Sequence, residues 1–467
     1  MSRFSKQSAR RLRIEQLEDR ALLSSYTFTK IADTGDQFTD FSRAPALNNS
    51  GAVAFLARPN AGRGNACLYT GDGGALTTIA CEDALNANLG MFPSINDNGS
   101  VAIVLSHGMD QRVVTGAGGP LTTLYASQEY GFYSFSAPSL NRSGVVAFWV
   151  STAILSRPEE VAAGDGGVPA IIDHSESFGF THFGSFPALN NGGIVAYHYL
   201  FRTPDLSVDA IKTGDSETTA TLYSNQEGFF SSFGDPAFND KGSAAYFAVL
   251  ARGGSGIFAG NGGPVNIIAT TGKNFKSFAT APAESNRDGV AFSAELTAGG
   301  SGIFTGPDPV MDKVVATGDE VSGAQVTELH FFREGLNDNG QLAFFAALAD
   351  GTSGVYRADP DGGAPGQSRD ATRAIVPVIF LNTGFGPVFK LFRDAAGAQQ
   401  PGLTIPSIQS GAAAFTEPVS PTTSMQRDFA DYQRFGLAAT TPQEEAPSQL
   451  QAPELARLVA NGSFFFA

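Results

Sequence analysis

One eleven-residue phrase, written over and over, constrains what this chain can fold into. Pro187–Tyr197 reads PALNNGGIVAY, Pro45–Phe55 PALNNSGAVAF, Pro138–Phe148 PSLNRSGVVAF and Pro236–Tyr246 PAFNDKGSAAY. Registered on its last residue, the phrase falls at Phe55, Ile103, Phe148, Tyr197, Tyr246, Phe292 and Phe344, at spacings of 48, 45, 49, 49, 46 and 52 residues. Self-similarity at this period marks a propeller or a solenoid. A worn eighth copy, PSIQSGAAAF, stands at Pro406–Phe415.

Each unit contains four strand-like pieces. In the fifth-to-sixth unit, GIFAG (Gly256–Gly260) leads through a glycine turn to PVNIIA (Pro264–Ala269), then NFKSFATAPA and GVAFSA (Gly289–Ala294). Apolar residues alternate or run short, which is strand periodicity. Asn and Gly accept positive φ, so N-x-x-G marks a chain reversal. The 3.6-residue spacing of a helical solenoid is absent. Four short antiparallel strands per unit is the size of a propeller blade. Asn190 and Gly193 are expected to shape the turn, with Val195 and Tyr197 packing between neighbouring blades, because one such unit cannot bury its face alone.

The chain begins mid-unit. FTKIADTGDQFTDF (Phe28–Phe41) matches the second half of the pattern, and the seventh unit ends on GVYRADPDGG (Gly354–Gly363) without its own following strand. An amino-terminal strand would complete the last blade and remove the open edges. The expected fold is therefore all-β: a β-propeller of seven four-stranded blades over residues 26–358, with eight blades as the alternative. Residues 359–416 are read as an insertion plus the degenerate eighth repeat, and 417–467, rich in Pro, Gln and Glu, as a tail of low order.

The phrase PALNxxGxVAF resembles the SPDGxxIAF turn of TolB-type propellers. It is more similar still to bacterial exported proteins built of tandem N-x-x-G-x-x-x-F repeats, a resemblance that covers residues 26 to 358 and implies a propeller and export. Residues 1–25 carry six basic residues in their first twenty and no glycine, and are read as a basic targeting or disordered segment. They lack the apolar core of a standard signal peptide. IEQLEDRALLS (Ile14–Ser24) resembles the LEPR-x-LL amino terminus of exported planctomycete proteins: Leu17, Glu18, Arg20, Leu22 and Leu23 match, while Asp19 stands where that motif has Pro. The implied destination is extracellular or the cell envelope.

Composition narrows the partners. The net charge of -15 and pI near 4.8 argue against nucleic acid or an anionic membrane as partner, because phosphate neutralisation needs clustered Lys/Arg. The longest apolar run, Ala374–Phe392, is broken by two Pro and two Gly, so no transmembrane helix is expected. An unknown protein or glycan remains as partner, with the chain expected as a monomer.

Chemistry-bearing motifs are few. The NDNG turns (Asn96–Gly99, Asn337–Gly340) lack the spacing of a calcium loop and read as turn chemistry, and TGDGG (Thr70–Gly74) lacks the G-K-[ST] of a phosphate loop. No metal and no cofactor is expected. Cys67 and Cys81 flank that glycine turn and would face each other across a hairpin, as a disulfide or as two buried thiols. None of the five histidines forms a catalytic signature. His182 and His330 stand eight and seven residues before Asn190 and Asn337, and Arg333 and Glu334 break their unit where others place Pro. Departures from a repeat are where function is grafted, so His182, His330, Arg333 and Glu334 are the candidate ligand-binding residues; the bland alternative for the last two is a local ion pair. No residue is assigned a catalytic role. The expected function is an exported, non-enzymatic binding or scaffold propeller of the cell envelope. The alternative is a hydrolase or lyase acting on envelope polysaccharide at the channel mouth.

Overall fold

A computed structural model describes residues 26–35, 37–60, 65–152, 159–176 and 178–361, and the short ribbon of Phe380–Leu381 paired with Val388–Phe389. The eighth copy and the segments 1–25 and 417–467 lie outside the described residues. Among the described residues no helix is long and apolar enough to cross a membrane.

Each sequence unit becomes one antiparallel sheet. Blades 1 to 6 span 38–81, 88–126, 132–174, 180–224, 230–270 and 275–316, and blade 7 spans 320–360. Blade 5 shows the plan. The first strand is broken into Phe230–Phe233 and Ala237–Phe238, and both pieces pair with the second strand, Ala244–Leu250. Ser255–Gly260 and Asn266–Thr270 follow outward. Pro236, which has no N–H to donate to a ladder, sits at the break. Six of the seven blades have Pro at this point.

The ring is closed by the first strand. Tyr26–Asp33 pairs with Ser353–Pro360, from Tyr26 opposite Pro360 to Asp33 opposite Gly354, and becomes the outer strand of blade 7. The mid-unit start of the sequence has this physical cause. Seven blades complete the circle without the eighth copy.

Seven apolar cores sit between consecutive blades, not within them. Phe148 and Val150 of blade 3 pack with Val104, Val113 and Tyr125 of blade 2; Phe55 and Val53 of blade 1 pack with Phe345 and Val355 of blade 7. The phrase-ending aromatics Phe55, Phe148, Tyr197, Tyr246, Phe292 and Phe344 are all fully buried. A buried Phe stabilises by about 1.5–3 kcal/mol relative to exposure, so these positions dominate the packing energy.

The inner strand ordinarily carries a β-bulge. Pairing jumps from Phe38 to Asp40, Phe132 to Ser134, Phe230 to Ser232, Phe275 to Ser277 and Val326 to Glu328. Blade 4 has none: Phe180, Thr181, His182 and Phe183 face Arg202, Phe201, Leu200 and Tyr199 without interruption. Its second strand, Val195–Arg202, is one residue longer than those of the other blades. Because side chains alternate faces along a strand, losing the bulge reverses the residue before it. Phe38, Phe230 and Phe275 are buried, whereas Phe180 is 57% exposed and Phe201 takes its place in the core.

Candidate functional site

The two ends of the central channel are built from different parts of the repeat. Leu189, at the end of each inner strand beside the N-x-x-G turn, pairs with the start of the second strand; Phe180, at the other end, pairs with its finish. The turns therefore ring one mouth, and the F-x-x-F segments ring the opposite one.

At the turn mouth, each first Asn serves two structures. The Asn48 Oδ1 accepts from the N–H groups of Ser50 and Ala52 and closes its own turn. Its Nδ2 donates to the Asn96 carbonyl of the next blade at 3.0 Å. The relay continues from Asn96 to Asn141, Asn141 to Asn190, Asn190 to Asn239 and Asn239 to Ser285, and Asn337 returns to Asn48 at 2.9 Å. Ser285 is too short to reach onward; there the Asn286 N–H donates to Asp338 Oδ1 at 2.7 Å. Asn286 and Asp338 belong to a second belt. Asn191 donates its N–H to Asp240, Asp240 to Asn286 and Asp338 to Asn49. Arg142 interrupts this belt, but its guanidinium reaches back to Asp97 at 2.6 Å. Burial alone would raise the Asp97 carboxyl; the Arg142 and Asn49 donors outweigh it and hold it below the ordinary carboxylate range. The belts enclose a polar cavity of about 140 Å³.

Halfway along, the channel is filled. Phe92, Phe186 and Phe332, from blades 2, 4 and 7, meet with ring centroids 4.8 to 5.0 Å apart. Arg333 follows Phe332 and crosses the channel. Its guanidinium donates to the carbonyls of Phe186, Pro187 and Pro236, at 3.0 Å for Pro236, and lies 5.8 Å from the Phe186 ring. The neighbouring Asp235, whose Oδ1 is buried, accepts from the Phe186 N–H and lies within electrostatic range of His198, Arg333 and His182; burial pushes its carboxyl up. Gly184 is glycine for a steric reason: a Cβ there would overlap the Asp235 carboxylate and crowd the His198 Cβ.

The F-x-x-F mouth carries three histidine–carboxylate pairs. His182 Nδ1 lies 3.2 Å from Glu159 Oε2, His198 Nε2 2.9 Å from Asp209 Oδ1, and His330 Nε2 2.7 Å from Glu328 Oε1. The first two acids also tie blades together. Glu159 accepts from Trp149 Nε1 and the Phe183 N–H, and Asp209 from the Phe233 N–H. Gln111 plays the same part toward Phe135. Hydrogen bonding to Glu159 raises the His182 ring above its ordinary value, against the lowering effect of burial.

The candidate residues divide accordingly. Arg333 and His182 both approach Asp235, and Glu334 accepts from Ser94 Oγ of blade 2 at 3.3 Å. Arg333 and Glu334 are 3.4 Å apart, but the three carbonyls are the principal partners of the guanidinium. His330 does not join them; with Glu328 and Arg43 it forms a group at the blade 7–blade 1 junction. The counts of eight and seven residues before Asn also misalign the two histidines. By pairing, His182 faces Leu200, and its counterpart in blade 7 is Glu328 facing Ala347. An extra residue between strand and turn in blade 7 shifts the count. Asp235, His198 and Phe180 escaped the sequence reading. A signal existed for Asp235: the residue before the repeated proline is Ala44, Phe92, Ala137, Phe186 or Ala281 in the other proline-bearing units, so a carboxylate there is anomalous. Cys67 and Cys81 stand opposite in register, with Cα atoms 4.1 Å apart, and form a disulfide. Among the described residues no group of three His, Cys, Asp or Glu is arranged to hold a metal ion.

Among solved structures, the chain is similar to the β-propeller domain of the trilobed protease from Pyrococcus furiosus: 9% identity and TM-score 0.47, over 70% of this chain and 96% of that one. It is also similar to prolyl oligopeptidase B from Galerina marginata (12% identity, TM-score 0.46, 67% of this chain and 47% of that one) and to the polysaccharide lyase Uly1 (10%, 0.42, 72% and 99%). The chain thus spans about half the length of that oligopeptidase. No curated protein matches it. Residues 27–274 and 216–353 match a family described as of unknown function, DUF7453, and these two overlapping matches cover most of the sequence: the chain belongs to that family.

Proposed function

We propose that the chain is an exported, non-enzymatic binding propeller of the cell envelope whose ligand meets the F-x-x-F mouth. One observation carries this reading. The acid–base groups of that mouth are already spent as clamps between blades, while the side chains left pointing outward are aromatic and cationic. Glu159 holds His182, Trp149 and the Phe183 N–H together, and Asp209 holds His198 and the Phe233 N–H. A general base must be free to approach a substrate proton. The interior offers no through-path either, because three phenylalanines and Arg333 fill it. Export is supported by the Cys67–Cys81 disulfide, since such bonds persist in oxidising compartments, and by the resemblance of residues 14–24 to an export motif.

The test is incubation of the purified chain with a panel of envelope polysaccharides and proteins, following both binding and product. Saturable binding without product is expected. Product formation that disappears in His182→Ala or His198→Ala overturns the non-enzymatic reading and favours a hydrolase or lyase.

A further inference from the structure

Blade 4 lacks the bulge that turns the other inner-strand phenylalanines inward, and this leaves an aromatic platform on the surface. Phe180 stacks on the His182 ring, with centroids 6.3 Å apart and planes at 25°. Trp149 of blade 3 meets His182 edge-on at 6.4 Å. Phe178, 67% exposed, is not part of the platform: it packs edge-on against Phe201, whose side chain lies on the opposite face of the sheet. Arg202 is directly opposite Phe180 in the register, so the two side chains share one face of the sheet. Arg202 is exposed, and among the described residues its guanidinium has no partner.

The size and charge of this patch choose its occupant. A stable protein interface needs about 800 Å² from each partner, with a buried apolar core. One exposed phenylalanine stacked on a half-exposed histidine offers far less, on the scale of one small flat ring. The rim is polar: His182 with Glu159 on one side, Arg202 on the other. Arg202 puts an unpaired positive charge on this rim, in a chain of net charge -15; the Glu159 carboxylate is engaged by Trp149 Nε1, the Phe183 N–H and His182. A nucleic acid strand needs a run of cations, and this patch offers a single one. A sugar ring has an apolar C–H face and a hydroxylated rim, and a uronic acid adds one carboxylate, the group that a guanidinium binds bidentately.

We propose that this platform binds an acidic glycan: the ring of a uronic acid residue lies against Phe180, and its carboxylate pairs with Arg202. The proposal rests on the binding reading above and names its ligand class. Trp149 is the single tryptophan of the chain and touches His182, so its fluorescence reports directly on the site.

The experiment titrates the purified full chain with a galacturonate oligosaccharide and with its carboxyl-reduced, neutral counterpart. Trp149 emission and calorimetry are recorded in parallel. A saturable emission change is expected, tighter for the acidic sugar. Phe180→Ala should weaken binding at least tenfold with an unchanged melting temperature. Arg202→Ala should remove the preference for the acidic over the neutral sugar. Val168→Ala, an exposed change elsewhere, should alter nothing. Calorimetric binding that leaves Trp149 silent and survives Phe180→Ala overturns this site while leaving the binding reading intact. Binding of aromatic peptides in place of either sugar also overturns it. Turnover of the sugar overturns the non-enzymatic reading instead, even if Phe180→Ala abolishes binding.

Discussion

The two mouths of the channel are made by the same strands, yet they use sequence in opposite ways. At the turn mouth, nearly every blade contributes the same Asn, with its oxygen spent on its own turn and its nitrogen on the next blade. At the F-x-x-F mouth, His182, Glu328, His330 and Arg43 differ from blade to blade, and Phe180 alone of the repeated phenylalanines turns outward. The lesson is a division of labour. Repeated polar residues hold the ring closed, and unrepeated ones face outward, where we propose that the ligand is met. A repeat protein distributes stability over near-identical interfaces, so any single blade is free to depart from the pattern where the fold does not need it.

The sharpest way to break this comparison lies between the two mouths, at Arg333. Its guanidinium serves three carbonyls and faces Asp235. Arg333→Met leaves those carbonyls without donors and the acid without a counter-charge, and should cost about 3–5 kcal/mol in chemical denaturation. A loss under about 1 kcal/mol would mean that the plug is held by its phenylalanines alone.

Next is the pH dependence of the blade 5–blade 6 junction. Burial pushes the Glu284 carboxyl up to about 8. Its folded value lies above its unfolded one, so the folded chain binds the extra proton between roughly pH 4.5 and 8, and stability falls as pH rises through that window. Other groups titrate as well, so the difference from Glu284→Gln isolates the effect. The variant should gain on the order of 2–3 kcal/mol relative to the wild type between pH 5 and pH 8, from urea midpoints.

The turn belt itself is tested by Asn141→Ala. That change removes the oxygen that accepts from Ser143 and Val145 and the donor to the Asn190 carbonyl. A loss of about 1–3 kcal/mol is expected, with ligand binding retained by the folded fraction. The smallest stability effect is expected at the other mouth. Phe180→Ala removes an exposed ring and should stay within about 0.5 kcal/mol, while weakening binding at least tenfold.

Much of this architecture was legible in the letters. The period, the four strands per unit and the Asn–Gly reversal are local signals, and the mid-unit start betrayed the closing strand Tyr26–Asp33. What escaped depends on pairing between strands. The asparagines look fully explained by their own turns, so their second role, reaching Asn96 from Asn48 or Asn48 from Asn337, cannot be seen along one chain segment. Phe180 sits in the same F-x-x-F phrase as Phe38 and Phe230; only the uninterrupted register with Phe201 and Arg202 turns it outward. His182 and His330 seemed equivalent by counting back from Asn, and one extra residue in blade 7 undid the count. Charged residues in a column of Ala and Phe, Asp235 and Arg333, were the visible trace of the channel plug.

The most direct test of the division of labour pairs two variants in one measurement. Melting temperature and binding to the galacturonate oligosaccharide are recorded together for Asn141→Ala and Phe180→Ala. The account predicts opposite losses: Asn141→Ala melts lower and still binds with wild-type affinity, and Phe180→Ala melts as the wild type and binds at least tenfold more weakly. If Phe180→Ala lowers the melting temperature as much as Asn141→Ala does, or if Asn141→Ala alone loses the ligand, the assignment of stability to one mouth and recognition to the other is wrong.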